Sequence, residues 1–461
     1  MTFDPITAEI RFGCGLSPKI DPPSSVDEML DGLVGADKMS EWFRIPSFQE
    51  FSKRLVRAQA LKKQRRMQSD GADSEELRKQ IRLLNKAARQ DHFDWLGSHI
   101  LRRTYSETPF RERLEGFWAD HFTAAGKGGL LRRAVSPFVQ SAIRPNMAGA
   151  FEDLLIAAVT HPLVVHYLDQ VGSTGPNSIR ATNKPGKFGL NENLAREILE
   201  LHTLGVAGPY TQTDVRELAE LLTGLTSQAS KGRQFKTNMA EPGSETVLGK
   251  SYSGSRPDFG DIEEVLRDLA RHPATARHMA GKLAVHFVSD TPDPALVDAL
   301  ERTWRDSDGN LSEVYGALLK HPAAWWTDTH NVKKPFEYIS SAARALAIPP
   351  KTIQRFQEKE MRQRISEPLR LMGHIWQKPS GPDGLEEADG EWLTPQGVAA
   401  RLQWAVIVPQ LLMPRLPDPR EFVDIALGGR ASEAVRFAAS AAESRAEGVG
   451  LVLISPAFQR M

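Results

Sequence analysis

Apolar residues recur at three- and four-residue spacing along most of the chain, and alternating runs are scarce, so the pattern predicts a mainly α protein. A short helix is expected within 24–44, and a long amphipathic stretch over 47–90 reads as two helices broken near Ser69–Asp73. Further helices are expected at 91–105, 108–122, 134–144, 148–171, 190–205 and 211–224. The 148–171 stretch is apolar on most sides, which places it centrally. Between 226 and 260 the period changes: Arg233–Met239 and Thr246–Tyr252 read as two short strands joined around Glu241–Ser244. Helices resume at 260–272, 274–288, 293–306, 311–321 and 333–346, and again near 395–413, 420–428 and 430–445 after a Pro/Gly-rich segment at 377–392. The expected architecture is a large multi-helix domain over 1–330, carrying a small β-hairpin insertion near 233–252, with a C-terminal helical lobe over 331–461 packed on it.

An apolar helix followed by His-Pro and a new helix appears three times, at His161-Pro162, His272-Pro273 and His321-Pro322. Proline is tolerated at a first helical position, and the residue before it is pushed out of the helical region. These histidines read as helix-to-helix corners in preference to metal ligands.

Composition narrows the choices. Lysine plus arginine equals aspartate plus glutamate, at 58 each, so there is no global pull toward nucleic acid or an anionic surface. Basic residues do concentrate between Lys53 and Arg82, but without a matching nucleic-acid module this reads as a solvated helix face. The lone Cys14 excludes an internal disulfide and a cysteine-based metal site, and it reads as a buried thiol. No run approaches the roughly 18 apolar residues of a membrane span. The opening MTFDPITAEIRFGCG lacks a basic, then apolar, leader, so a cytoplasmic location is expected, with periplasmic delivery by co-export left open. HExxH, GxSxG, P-loop, GxGxxG and CxxC motifs are missing.

The densest chemistry is in GLNENLAREILELHTLGV, 189–206. On an ideal helix Leu190, Leu194, Ile198 and Leu201 form the core stripe, with His202 at its edge. Glu192, Arg196 and Glu200 form an i, i+4, i+8 ladder, and Asn193 and Glu197 a neighbouring row. Such a ladder stabilises a helix by about 0.2–0.5 kcal/mol per pair and needs no function. The functional reading rests on two additions. Asn191 and Asn193 flank Glu192 in the first turn, and the acid-free basic loop 172–189, with Arg180, Lys184 and Lys187, feeds into it as a candidate lid. Glu197 or Glu200 would be acid or base, while Asn191, Glu192, Asn193, Arg196 and Lys187 would hold a polar or anionic substrate. A second candidate is Asp120-His121 within EGFWADHFT, where His121 is either a hydrogen-bonded core residue or a proton shuttle. His121 and His202 are the candidate metal ligands, and cofactor and metal are otherwise unknown.

At NENLAREILELHTLGV and YTQTDVRELAELLTG, 210–224, the chain resembles a bacterial family catalogued as domain of unknown function 1800 (DUF1800). RFGCGLSP, FWADHFT, AEPGSETVLGKSY, HPATARHMAGKLAVHFVSDTPDPALV and GPDGLEEADGEWLTPQGVAARLQWA extend the likeness over about 8–410. The resemblance marks His121, Asn191, Glu192, Asn193, Arg196, Glu197, Glu200 and His202 as family pattern without assigning roles. It implies a gene neighbourhood shared with a sulfatase- and phosphatase-like family. Two readings are compatible with it: a hydrolase acting on a polar or anionic substrate in a helix-lined cleft, or a non-catalytic partner or carrier for such a sulfatase/phosphatase-like protein.

Overall fold

The computed structural model describes residues 3–67, 72–254, 256–326 and 331–461. The protein is mainly α, with two small antiparallel hairpins. The expected break near Ser69–Asp73 falls largely on residues 68–71, outside the described residues; helices Phe48–Met67 and Ala72–Tyr105 lie on either side. No separate helix begins at 91, because nothing between Ala72 and Tyr105 interrupts the helical hydrogen bonds. Gly97, the one glycine there, is where Ile353 packs: an added Cβ would lie 2.8 Å from its Cγ2.

All three His-Pro corners form as expected. The Nδ1 atoms of His161, His272 and His321 accept from the backbone N–H of Leu163, Ala274 and Ala323 at 3.1, 3.1 and 3.2 Å, so each histidine caps the helix that its following proline opens. The 148–171 stretch accordingly splits into Phe151–Val159 and Pro162–Tyr167.

The single hairpin over 233–252 is corrected to two. Leu225–Gln228 pairs with Gly232–Phe235, in register Leu225 to Phe235, and Glu245–Val247 pairs with Lys250–Tyr252. The run 246–252 folds on itself because Leu248 and Gly249 both take positive φ, 50° and 79°, which is the signature of a tight two-residue hairpin turn. The first hairpin turns through three residues, 229–231, and Gly232, at φ 71°, takes up the left-handed position where its second strand begins.

Two apolar cores form. One gathers helices Pro109–His121, Phe151–Val159, Pro273–Phe287 and Leu311–Lys320. The other gathers Pro335–Ala345, Pro395–Ile407 and Arg445–Ile454 together with Leu96, Ile100 and Leu101. The long helix Ala72–Tyr105 serves both, since its Ala88 and Trp95 belong to the first. The expected boundary at 330/331 falls beside residues 327–330, outside the described residues. Arg344, fully buried, ties the end of that helix down by donating to the carbonyls of Arg103, Thr104 and Ser106 at 3.0–3.2 Å. Among the described residues no helix is long and apolar enough to cross a membrane.

Candidate active site

Helix Pro109–His121 carries two faces. Phe110, Leu114, Phe117 and Trp118 enter the first core, while Glu112, Glu115, Gly116 and Asp120 recur at helical spacing on another side. That second side is a hub of buried charge. Arg144 binds Glu112 at 2.7 Å, Glu115 at 2.5 Å and Asp37 at 2.5 Å. Glu115 also meets His99 Nδ1 at 3.2 Å, and His99 Nε2 lies 3.2 Å from Ser136 Oγ. Burial works against the Glu115 carboxylate, but the Arg144 charge and the His99 hydrogen bond outweigh it and hold it well below its usual range. Ser136 has no exposed surface, so the Ser136–His99–Glu115 chain is a tie within the wall.

Beyond this wall lies a cavity of about 150 Å³. Its polar end holds Asp120, His286, Lys334, Glu337 and Arg103; its apolar side holds Phe336, Trp376, Val135, Val139 and Leu385. Lys334 Nζ lies 3.2 Å from Glu387 and 3.7 Å from Asp120. His286 Nδ1 lies 3.0 and 3.1 Å from the two Glu387 oxygens. Burial lowers His286 to about 4, against the pull of Glu387, so at neutral pH its ring is uncharged and donates through Nδ1. Burial disfavours the Glu387 carboxylate, yet His286 and Lys334 hold it well below the usual carboxylate range. Asp120 moves the other way: burial raises it, and the Lys334 charge only partly opposes this. Two carboxyls on one lysine are thus driven apart, one toward the acid form and one toward the base form.

The loop 381–390 makes this possible. The Leu385 N–H donates to Asp120 Oδ1 at 3.0 Å. Gly384 has φ 85°, and a Cβ there would lie 2.8 Å from the Asp120 carbonyl oxygen, so only glycine fits this approach. The Asp383 charge is felt by Glu197, Tyr167 and Lys282, so the same loop links the cavity to helix Asn193–Glu197.

The sequence-predicted residues divide into three groups. Glu192, Arg196 and Glu200 do form the ladder, at 3.5 and 3.1 Å, with Gln212 joining at 3.0 Å, but it is partly solvent-exposed and does not line the cavity. Asn191 sits at the start of the helix, its Oδ1 accepting from the Asn193 N–H at 2.9 Å and its Nδ2 donating to the Leu168 carbonyl at 3.2 Å, while Asn193 is the first helical residue and is exposed. Lys187 is exposed in the basic loop. That loop is tied down by Asn177 to the Glu241 carboxylate and by the Arg180 N–H to the Asn238 carbonyl. Glu197 is half-buried, and burial first, then the Glu200 and Asp383 charges, raise it to about 7. His121 and His202 meet in the core, ring centroids 5.6 Å apart, among Phe117, Trp118 and Phe122. Burial and then the nearby Lys282 charge lower His202 to about 3 and His121 well below its usual value. Among the described residues neither His121 nitrogen has a hydrogen-bond partner. Among the described residues no group of three or more His, Cys, Asp or Glu is placed to hold a metal ion.

Helical phase explains part of the difference. The helix widens into a π turn over Ile198–His202, which adds a residue and rotates the downstream side chains by about 100°. Leu199 and His202 are therefore buried, and Leu201 is only half-buried. Sequence pattern does not single out Arg103, Lys334, His286, Glu387 or Trp376. One signal for them is visible in the chain, a glycine at 116 inside the helix that also carries Asp120.

The model of a family described as protein of unknown function (DUF1800) matches residues 11–460. No characterised protein and no solved structure matches.

Proposed function

The chain belongs to the DUF1800 family, and we propose that it is an enzyme that hydrolyses a small polar or anionic substrate in the cavity beside Asp120. One observation carries this reading: Asp120, Lys334 and His286, with Glu387 behind the last two, converge on one partly open hollow with opposed titration tendencies. Asp120 is suited to give a proton to a leaving group and take one from water, because burial raises it above the usual carboxylate value and so favours its protonated form. Lys334 is placed to stabilise negative charge that develops beside it. Glu387 orients His286 through Nδ1. In this reading Glu197 is a second titrating group on the far side of the Asp383 loop, and the ladder is a stabilising surface feature.

The alternative, a non-catalytic partner for a sulfatase/phosphatase-like protein, calls for a continuous exposed apolar patch. On helix Pro395–Ile407, Val398 and Leu402 sit about half a helical turn away from Ile407, so these exposed residues do not share one stripe.

Turnover of a panel of small carboxyl, phosphate and sulfate esters and amides tests the proposal. Asp120→Asn should lower the rate of any substrate found by about 100-fold or more, while Arg216→Gln, at an exposed pair, leaves it unchanged. Equal turnover by Asp120→Asn, or no turnover of any member, refutes it.

A further inference from the structure

Arg103 is only 7 % exposed, lines the cavity, and among the described residues has no carboxylate within ion-pair distance. Its one hydrogen bond is long, Nη2 to the Glu112 carbonyl at 3.3 Å, and its guanidinium lies 4.9 Å from the centre of the Phe336 ring. The acids around it are engaged elsewhere: Glu115 with Arg144, Glu337 with Arg113, Glu387 with Lys334. A buried cation without a counter-charge costs several kcal/mol. The fold nevertheless makes room for it. Gly116 faces Arg103 from the middle of its helix, and a Cβ there would lie 2.5 Å from Nη2. A mid-helix glycine itself costs about 1 kcal/mol relative to alanine. Two further lining side chains hold buried polar atoms without partners among the described residues, Trp376 Nε1 and His374 Nδ1.

We infer that the cavity is a receptor for a small carboxylate with a flat apolar body, its carboxylate taken by the Arg103 fork. The free edge of a guanidinium stacked on Phe336 matches a planar carboxylate in two parallel hydrogen bonds. The lining beside the guanidinium is aromatic and aliphatic: Trp376 lies against the same Phe336 ring, centroids 4.5 Å apart, and Val135 and Val139 also line the cavity. A bare inorganic anion would leave that wall against water. The volume, about 150 Å³, is that of cavities that accept a single benzene ring. The inference rests on the cavity being the site proposed above, but it requires binding only.

Calorimetric titration of the full chain with benzoate, benzamide, acetate and inorganic phosphate tests it. Benzoate should bind at one site, with benzamide and acetate each weaker by about tenfold or more. Arg103→Gln should lose benzoate affinity by at least about tenfold, and Arg216→Gln should keep it. Arg103→Lys keeps the charge but loses the fork, and it should show the same direction of loss should the glutamine variant not fold. Asp120→Asn should still bind, which separates failure of the binding site from failure of catalysis. Absent benzoate binding, equal binding by the folded Arg103 variants, or phosphate binding tighter than benzoate overturns the inference.

Discussion

The ladder Glu192–Arg196–Glu200 and the cavity wall around Glu112, Glu115 and Arg144 use the same chemistry: an arginine between two carboxylates drawn from one helix. They differ in depth. Arg196 and Glu192 side chains are 39 % and 35 % exposed, whereas Arg144 and Glu112 are each 2 % exposed. In water such a triplet is worth fractions of a kcal/mol; in the interior each member is costly to strand. Spacing along a helix is readable from sequence, but depth decides which arrangement carries energy and which can shift a proton.

The comparison breaks most sharply at Arg144. Arg144→Met should cost about 3–5 kcal/mol in denaturant unfolding, because Asp37, Glu112 and Glu115 lose their shared partner inside the protein. A cost below about 1 kcal/mol would place that wall in the same class as the ladder.

The two regions should also titrate in opposite senses. Burial lowers His286 to about 4 and His374 to about 3 on the cavity side, and His92, His161 and His202 to about 4, 3 and 3 elsewhere. An unfolded histidine binds its proton near pH 6.5, so the stability these groups provide is complete above that pH and is lost as pH falls toward 4. Glu197, beside the ladder, is raised to about 7, so its contribution runs the other way and fades as pH rises from about 4.5 to 7. The unfolding free energy should therefore fall overall between pH 7.5 and 5, by about a few kcal/mol. Glu197→Gln should be about 1 kcal/mol more stable than the parent near pH 8, allowing for its solvent exposure, and should steepen the acid decline. A flat profile would mean that these histidines are hydrated in the folded protein.

The smallest effect belongs to the ladder itself. Arg196→Ala should cost less than about 1 kcal/mol, and most of that should vanish in 1 M salt.

Much of the fold is legible because helical periodicity and the His-Pro corners are local signals. The long helix to Tyr105 reads as two in the sequence because periodicity alone does not show continuity. The change to strand structure after residue 224 is legible, but the pattern reads as one hairpin where two form, and the Leu248-Gly249 turn escapes sequence reading, since a leucine at positive φ has no sequence signature. Asp120 and His121 stand out together in the sequence, but only Asp120 reaches the cavity; His121 lies in the core against His202. Arg103, Lys334 and Glu387 do not stand out, because they come from three distant segments and become neighbours only when the two cores close on the helix Ala72–Tyr105. No spacing rule connects residues 103, 334 and 387.

A crystal structure of the protein soaked in benzoate puts the two regions in direct competition. The account predicts one ordered benzoate in the cavity, with both carboxylate oxygens on the Arg103 guanidinium and its ring beside Phe336 and Trp376. An empty cavity with benzoate seated instead at Arg196 or the basic loop 172–189 would contradict it.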